Sequence, residues 1–285
     1  MLKVILYILV YSAIIYMLVC LVFFLIQEKL IFIPTKQGTD FEFKLATPYE
    51  EHFIETPNGG KINGLLLTVE NSKGVIYYLH GNTGSIKRWR FMAEELTSYG
   101  YDVFVIDYRG YGKSKGHRTE ELMHSDVEVC YSFLKSRYPD QPIIVYGRSL
   151  GSGFGIRLCS KVAVNRLILE TPFYSLLHVA RFYFPFLPTY YLMRFRFRSD
   201  LFIDKVKCPI AIFHGTKDRI VPYHSALALF KLVEDNPKVE MTTLVGARHN
   251  NLNAYPLFRE RMTAFLESAT SDGKVSTKSG NSSIN

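Results

Sequence analysis

The chain has 285 residues, 48% of them hydrophobic, and Lys+Arg 34 against Asp+Glu 26 leaves a formal net charge of +8. That length and apolar content allow one large core or two small ones, and the mild basic excess suits a membrane surface or an acidic substrate. No recognisable nucleic-acid motif accompanies the charge, so no nucleic-acid partner is expected, and Cys20, Cys130, Cys159 and Cys208 are spaced neither as a disulfide framework nor as a zinc site.

Val4 to Ile26 is a run of 23 residues without a charge. As a helix it is about 34 Å long, enough for a hydrocarbon core of about 30 Å. It ends Phe23-Phe24-Leu25-Ile26-Gln27, with no small-residue cleavage site. Residues 1–30 are therefore read as an uncleaved single-pass membrane anchor, and a connector leaving the membrane is read from residue 27. Lys3 lies before the span and Lys29, Lys36 and Lys44 after it, too small an excess to fix which side the rest of the chain faces.

Residues 45–269 read as one catalytic domain. Glu51–Thr56 and Lys61–Val69 are strands joined by the turn signal Pro57-Asn58-Gly59-Gly60. Val75–Leu79 is a short apolar strand. Ser85 then caps a helix with Ile86, Trp89, Ala93 and Leu96 on one face, and Gly100 ends it. Tyr101–Ile106 is the next strand, followed by a helix carrying Val127, Cys130 and Leu134. The strand from Ile143 runs into Gly147, a helix starts at Leu150, and Arg166–Glu170 is another strand. Pro209–His214 and Val239–Val245 are strands either side of a helix, and the last helix carries Phe258, Met262 and Phe265. Residues 270–285, rich in Ser, Gly and Lys, are expected to be a disordered tail. Apolar strands alternating with amphipathic helices imply an α/β domain, a mostly parallel sheet covered on both faces.

Gly147-Arg148-Ser149-Leu150-Gly151 sits between a strand and a helix. A serine on so sharp a turn has its hydroxyl pushed clear of the sheet edge, the arrangement of a nucleophile. A neutral hydroxyl is a weak nucleophile and needs a base, and the base needs an acid to orient it. His249 follows the last strand and Asp218 the strand before it, giving the order Ser, Asp, His at the carboxyl ends of strands. Glu170 is the rival acid; His214, at the end of a strand, and His224 are rejected as bases. The backbone N–H groups of Leu150 and Asn82 are the expected oxyanion donors, with His80 ordering the Asn82 loop.

Gly112-Lys113-Ser114 has only the end of a phosphate-binding loop, because Asp107 stands where its first glycine belongs. No metal-ligand spacing is present, and neither a metal nor a cofactor is expected.

Residues 171–207 interrupt the alternation and hold eleven aromatic residues together with a cluster of Arg and Lys. Following a core strand, this insert is expected to lie over Ser149 as a lid facing a lipid-like substrate or the membrane interface, with Phe173 and Tyr174 touching substrate.

Together, His80-Gly81-Asn82-x-Gly84, Asp107-Tyr108-Arg109-Gly110-x-Gly112-x-Ser114, Gly147-Arg148-Ser149-Leu150-Gly151, Asp218-x-x-Val221-Pro222 and Gly246-x-x-His249 resemble the α/β-hydrolase superfamily over residues 50–268. Within it the chain is similar to membrane-anchored abhydrolase-domain proteins related to the yeast bud-emergence protein. The resemblance implies the α/β-hydrolase fold and a Ser149–Asp218–His249 triad. It also implies hydrolysis of an ester or thioester of a lipid-like acyl substrate, as in lysophospholipid and monoacylglycerol lipases and depalmitoylases. A peptidase on the same triad, as in serine aminopeptidases, and an inactive binding module are the alternatives. The chain departs from relatives at Asn250-Asn251, where an acidic residue is common, and lacks the N-terminal cysteine cluster of palmitoylated members.

Overall fold

Apolar runs of five or six residues bounded by Gly, Pro and Asp are too short for core helices and long enough for buried strands. In the computed structural model, which describes residues 1–275 and the side chains of residues 1–268, they assemble into one sheet. Its strands are β1 (Tyr49–Thr56), β2 (Gly60–Leu67), β3 (Val75–Leu79), β4 (Asp102–Ile106), β5 (Ile143–Arg148), β6 (Arg166–Glu170), β7 (Ile210–Gly215) and β8 (Val239–Leu244). Their spatial order is β8-β7-β6-β5-β3-β4-β2-β1. β2 is antiparallel to both β1 and β4; the remaining neighbours are parallel.

The helices are α1 (Leu2–Ile31), α2 (Ile86–Thr97), α3 (Glu120–Arg137), α4 (Leu150–Cys159), α5 (Leu176–Tyr183), α6 (Thr189–Leu192), α7 (Tyr223–Phe230) and α8 (Pro256–Val275). Alternation along β3 divides the core between the two faces of the sheet. Val75, Tyr77 and Leu79 pack with Val127 of α3 and Phe154 of α4. Ile76 and Tyr78 pack with Trp89 and Leu96 of α2 and with Phe258 and Met262 of α8.

Three local readings need correction. Ser85 stands at the start of α2 but makes no capping bond with its side chain. Asp107 takes that role from β4's end, accepting from the Ile86 N–H at 2.9 Å. Helix α8 continues to Val275, beyond the domain boundary expected at residue 269; residues 276–285 lie outside those described. The connector expected from residue 27 is also helical as far as Ile31.

The end of α1 is built into the domain. Gln27 is 1% exposed in a helix that is otherwise bare apart from Cys20, Phe23 and its last turns. A buried amide needs partners. Its Nε2 donates to the Leu192 carbonyl at 2.9 Å and its Oε1 accepts from the Arg194 N–H at 2.7 Å. Phe23 meets the Phe184 ring edge-on at 5.3 Å between centroids. With Leu187 and Met193 of the insert, Phe23 forms a third, smaller core.

Candidate active site

The site forms where β3, β5, β6, β7 and β8 end, because parallel strands bring their following loops to one rim. Gly151, at the start of α4, passes so close to β3 that a Cβ there would sit 1.8 Å from the Leu79 carbonyl oxygen. That approach forces the turn between β5 and α4, and Ser149 takes φ 51° in it. A non-glycine residue at such an angle is strained, and strain of this kind collects where side chains must be aimed. The Ser149 N–H is held by the Glu170 carbonyl at 2.9 Å, and Ser149 remains 7% exposed.

Asp218 and His249 meet. His249 Nδ1 lies 2.7 Å from Asp218 Oδ2. The other oxygen, Oδ1, accepts from the Ile220 and Val221 N–H groups at 2.8 and 2.9 Å. The carboxylate is thereby fixed on its own loop. Burial pushes the Asp218 carboxyl up, but hydrogen bonds from His214 and His249 outweigh it and hold the group well below the ordinary carboxylate range. With Nδ1 committed to Asp218, Nε2 is the ring nitrogen left for proton exchange.

Glu170, the rival acid, is committed elsewhere. Its Oε2 accepts from the Tyr146 hydroxyl at 2.6 Å and its Oε1 pairs with Arg148 at 3.1 Å.

Two contacts were missed by the sequence reading. His214 is fully buried, and its Nε2 lies 3.2 Å from Asp218 Oδ2 and 3.0 Å from the Val221 carbonyl. Asp218 thus faces two imidazoles. Arg148, directly before the serine, reaches over to donate to the His249 carbonyl and to Asn250 Oδ1, each at 3.2 Å. Arg148 has no local signal, since its partners lie far along the chain; His214 is only four residues from Asp218, and it is the loop after β7 that folds the carboxylate back onto it.

A cavity of about 210 Å³ opens beside the serine, floored by Asn82, Ser149, Leu150 and Phe173. Leu150 is the first residue of α4, so its N–H has no partner within the helix. The Asn82 loop is braced from several sides. Its carbonyl accepts from the Tyr111 hydroxyl at 2.7 Å and the Ile33 N–H at 3.0 Å, and its Nδ2 donates to the Ile31 carbonyl at 2.9 Å. His80 orders the same loop, 3.3 Å from Asp107 Oδ1 and stacked on Trp89.

The insert 171–207 covers the cavity with Leu176, Val179, Tyr183, Phe184 and Met193. Of the two residues expected to touch substrate, Phe173 lines it and Tyr174 does not. Tyr174 gives its N–H to the Ser225 hydroxyl and sets its ring against His178. Helix α1 completes the wall with Phe23, Gln27, Leu30 and Ile31.

Residues 70–195 match the family model described as serine aminopeptidase, S33. The chain is 30% identical to lysophosphatidylserine lipase ABHD12 of Danio rerio over 230 residues, 69% of this chain and 59% of that protein. It is 31% identical to alpha/beta hydrolase domain-containing protein 17B of Homo sapiens over 199 residues, 69% of this chain and 67% of that protein. The chain spans 59% and 63% of the lengths of the relatives from Danio rerio and Caenorhabditis elegans. In fold it is similar to the Pyrococcus furiosus esterase Pf2001, with a TM-score of 0.68 at 24% identity over 84% of this chain and 99% of that one.

Proposed function

The chain belongs to the α/β-hydrolase family, and we propose that it is a membrane-anchored serine hydrolase cleaving an ester or thioester of a lipid-like acyl substrate. The observation that carries this reading is the Asp218–His249 contact of 2.7 Å at the strand ends that also hold Ser149 on its strained turn. Ser149 attacks the acyl carbonyl while His249 takes its proton. Asp218 holds the imidazole tautomer and stabilises its cation. The N–H groups of Leu150 and Asn82 receive the oxyanion. His249 returns the proton to the leaving group, and water then hydrolyses the acyl-enzyme.

The wall of the cavity supports an acyl substrate. Among its lining residues there is no Asp, Glu, Lys or Arg. An aminopeptidase must neutralise a free amino terminus, which calls for a carboxylate in the pocket, so the peptidase reading has less support. Anchoring rests on α1, the one helix among the described residues that is long and apolar enough to cross a membrane. The exposed Arg181 and Arg194 of the insert suit an anionic head group.

The test is Ser149→Ala in the full chain. Hydrolysis of acyl esters and labelling by a fluorophosphonate probe are both expected to vanish. Full esterase activity in that variant would sink the proposal, and a preference for aminoacyl amides over acyl esters in the wild type would transfer it to a peptidase.

A further inference from the structure

The docking of α1 on the insert sets where the bilayer must lie. The Tyr16 hydroxyl donates to the Phe186 carbonyl at 2.9 Å, and Gln27 binds Leu192 and Arg194 further along the same helix. The insert therefore climbs α1 from Gln27 to Tyr16, a rise of about 16 Å. From Val4 to Tyr16 the helix rises only about 18 Å, well short of a hydrocarbon core of about 30 Å. A membrane spanned by α1 has to extend down beside the insert.

The exposed side chains at that level fit such a setting. Phe186 is 64%, Tyr190 56% and Tyr191 82% exposed. Cations stand among them: Arg196 donates to the Tyr190 carbonyl at 2.8 Å and lies 4.9 Å from the centre of its ring, and Arg181 is exposed beside Tyr190 and Tyr191. Glu28 pairs with Arg118 at 2.9 Å and with Arg194 at 3.7 Å, next to Lys29 at the end of α1. Exposed aromatic rings interleaved with arginines, and a charged cluster at the foot of the helix, are the arrangement of a membrane interface, where long cationic side chains reach to the head groups.

The cavity lies at the junction of these two levels. One wall is the last turns of α1, with Phe23 buried and Leu30 half-exposed; the facing wall is Val179, Phe184 and Met193. We propose that the end of the membrane helix is part of the acyl-binding site and that the insert beside it is sunk in the leaflet, so that a bilayer lipid passes its acyl chain to Ser149 without crossing water. This rests on the serine-hydrolase reading for the chemistry. The geometry adds the route and the residues that gauge the chain.

The experiment uses the full chain in phosphatidylcholine vesicles. For depth, Tyr191→Trp is compared with the wild type to subtract Trp89. Its added fluorescence is expected to be quenched by lipids brominated on their acyl chains and shielded from aqueous iodide; quenching by iodide alone overturns immersion. For the wall, octanoyl and acetyl esters of one leaving group are compared. Leu30→Trp is expected to lower the octanoyl-to-acetyl ratio of kcat/KM at least fivefold, and Phe23→Ala to raise it. If both ratios stay within twofold of wild type, α1 is no part of the acyl site. Wild-type protein that fails to label with a fluorophosphonate defeats the hydrolase reading instead, and leaves the depth result standing on its own.

Discussion

Replacing Asp218 by Asn isolates the role of the acid with almost no change of shape. The Asn oxygen keeps both bonds from the Ile220 and Val221 N–H groups, which accept no alternative geometry on so short a loop. Its amide nitrogen then stands where Asp218 Oδ2 met His249 Nδ1 at 2.7 Å and His214 Nε2 at 3.2 Å. A donor now faces His249, so the imidazole proton moves to Nε2, the nitrogen that must accept from Ser149. Wrong-tautomer substitutions of this type cost about 10⁴-fold in kcat, roughly 5.4 kcal/mol of barrier. The assay is hydrolysis of a short-chain p-nitrophenyl ester by the full chain in detergent, with the rate of fluorophosphonate labelling read alongside. A loss smaller than tenfold refutes the assignment. Glu170→Gln is the control, because Glu170 is already bound to Tyr146 and Arg148. Should it cost more than Asp218→Asn, the acid is Glu170.

Other perturbations follow from the same geometry. Arg148→Met leaves Glu170 buried without its ion partner, and such losses run to about 3–5 kcal/mol; urea unfolding measures it, and a change below about 1 kcal/mol contradicts the pairing at 3.1 Å. Gly151→Ala drives a Cβ to 1.8 Å from the Leu79 carbonyl oxygen, where only backbone can yield. Overpacking of about 1–3 kcal/mol or more is expected as a lowered Tm, and an unchanged Tm would discredit the close approach of α4 and β3. Burial keeps His124 well below the usual imidazole range, with Arg157 and Lys161 acting in the same direction. It stays neutral when folded and takes a proton when unfolded below about pH 6.5, so stability falls as pH drops below that point, by up to about 1.4 kcal/mol per unit. Burial raises the Glu120 carboxyl, which acts in the opposite sense at lower pH. His124→Gln should flatten the stability profile between pH 6.5 and 5.5; a parallel profile refutes it.

What could be read from sequence was what local pattern encodes. The helices announce themselves through a periodic apolar face and the core strands through short unbroken apolar runs, and the motif loops fall after strands because each carries Gly, Asp or His directly behind such a run. The order of Ser149, Asp218 and His249 needs no knowledge of distance. Most of the unread features are contacts between residues far apart along the chain. Ser85 has the composition of a cap, yet Asp107 holds Ile86, because a buried carboxylate at the end of β4 outcompetes a serine hydroxyl. Tyr174 belongs to the same aromatic run as Phe173, and composition gave no means to tell which ring faces inward. In α1, an uninterrupted apolar surface has no moment to mark a preferred face. Gln27 closes its uncharged run, and it read as the end of a span when it is the fastening to Leu192 and Arg194.

That fastening bears on how interchangeable the parts are. The Asn82 loop receives one hydrogen bond from the Ile33 N–H and gives another to the Ile31 carbonyl, both at the foot of α1. Under the proposed anchoring, a generic transmembrane segment grafted in place of α1 would restore a tether and lose the brace. A chimera must carry Phe23, Gln27 and the Leu30–Ile33 stretch across, while the bare face from Val4 to Tyr11 is open to exchange for any apolar sequence. The helix is modular only in its first half; its second half is inherited with the enzyme.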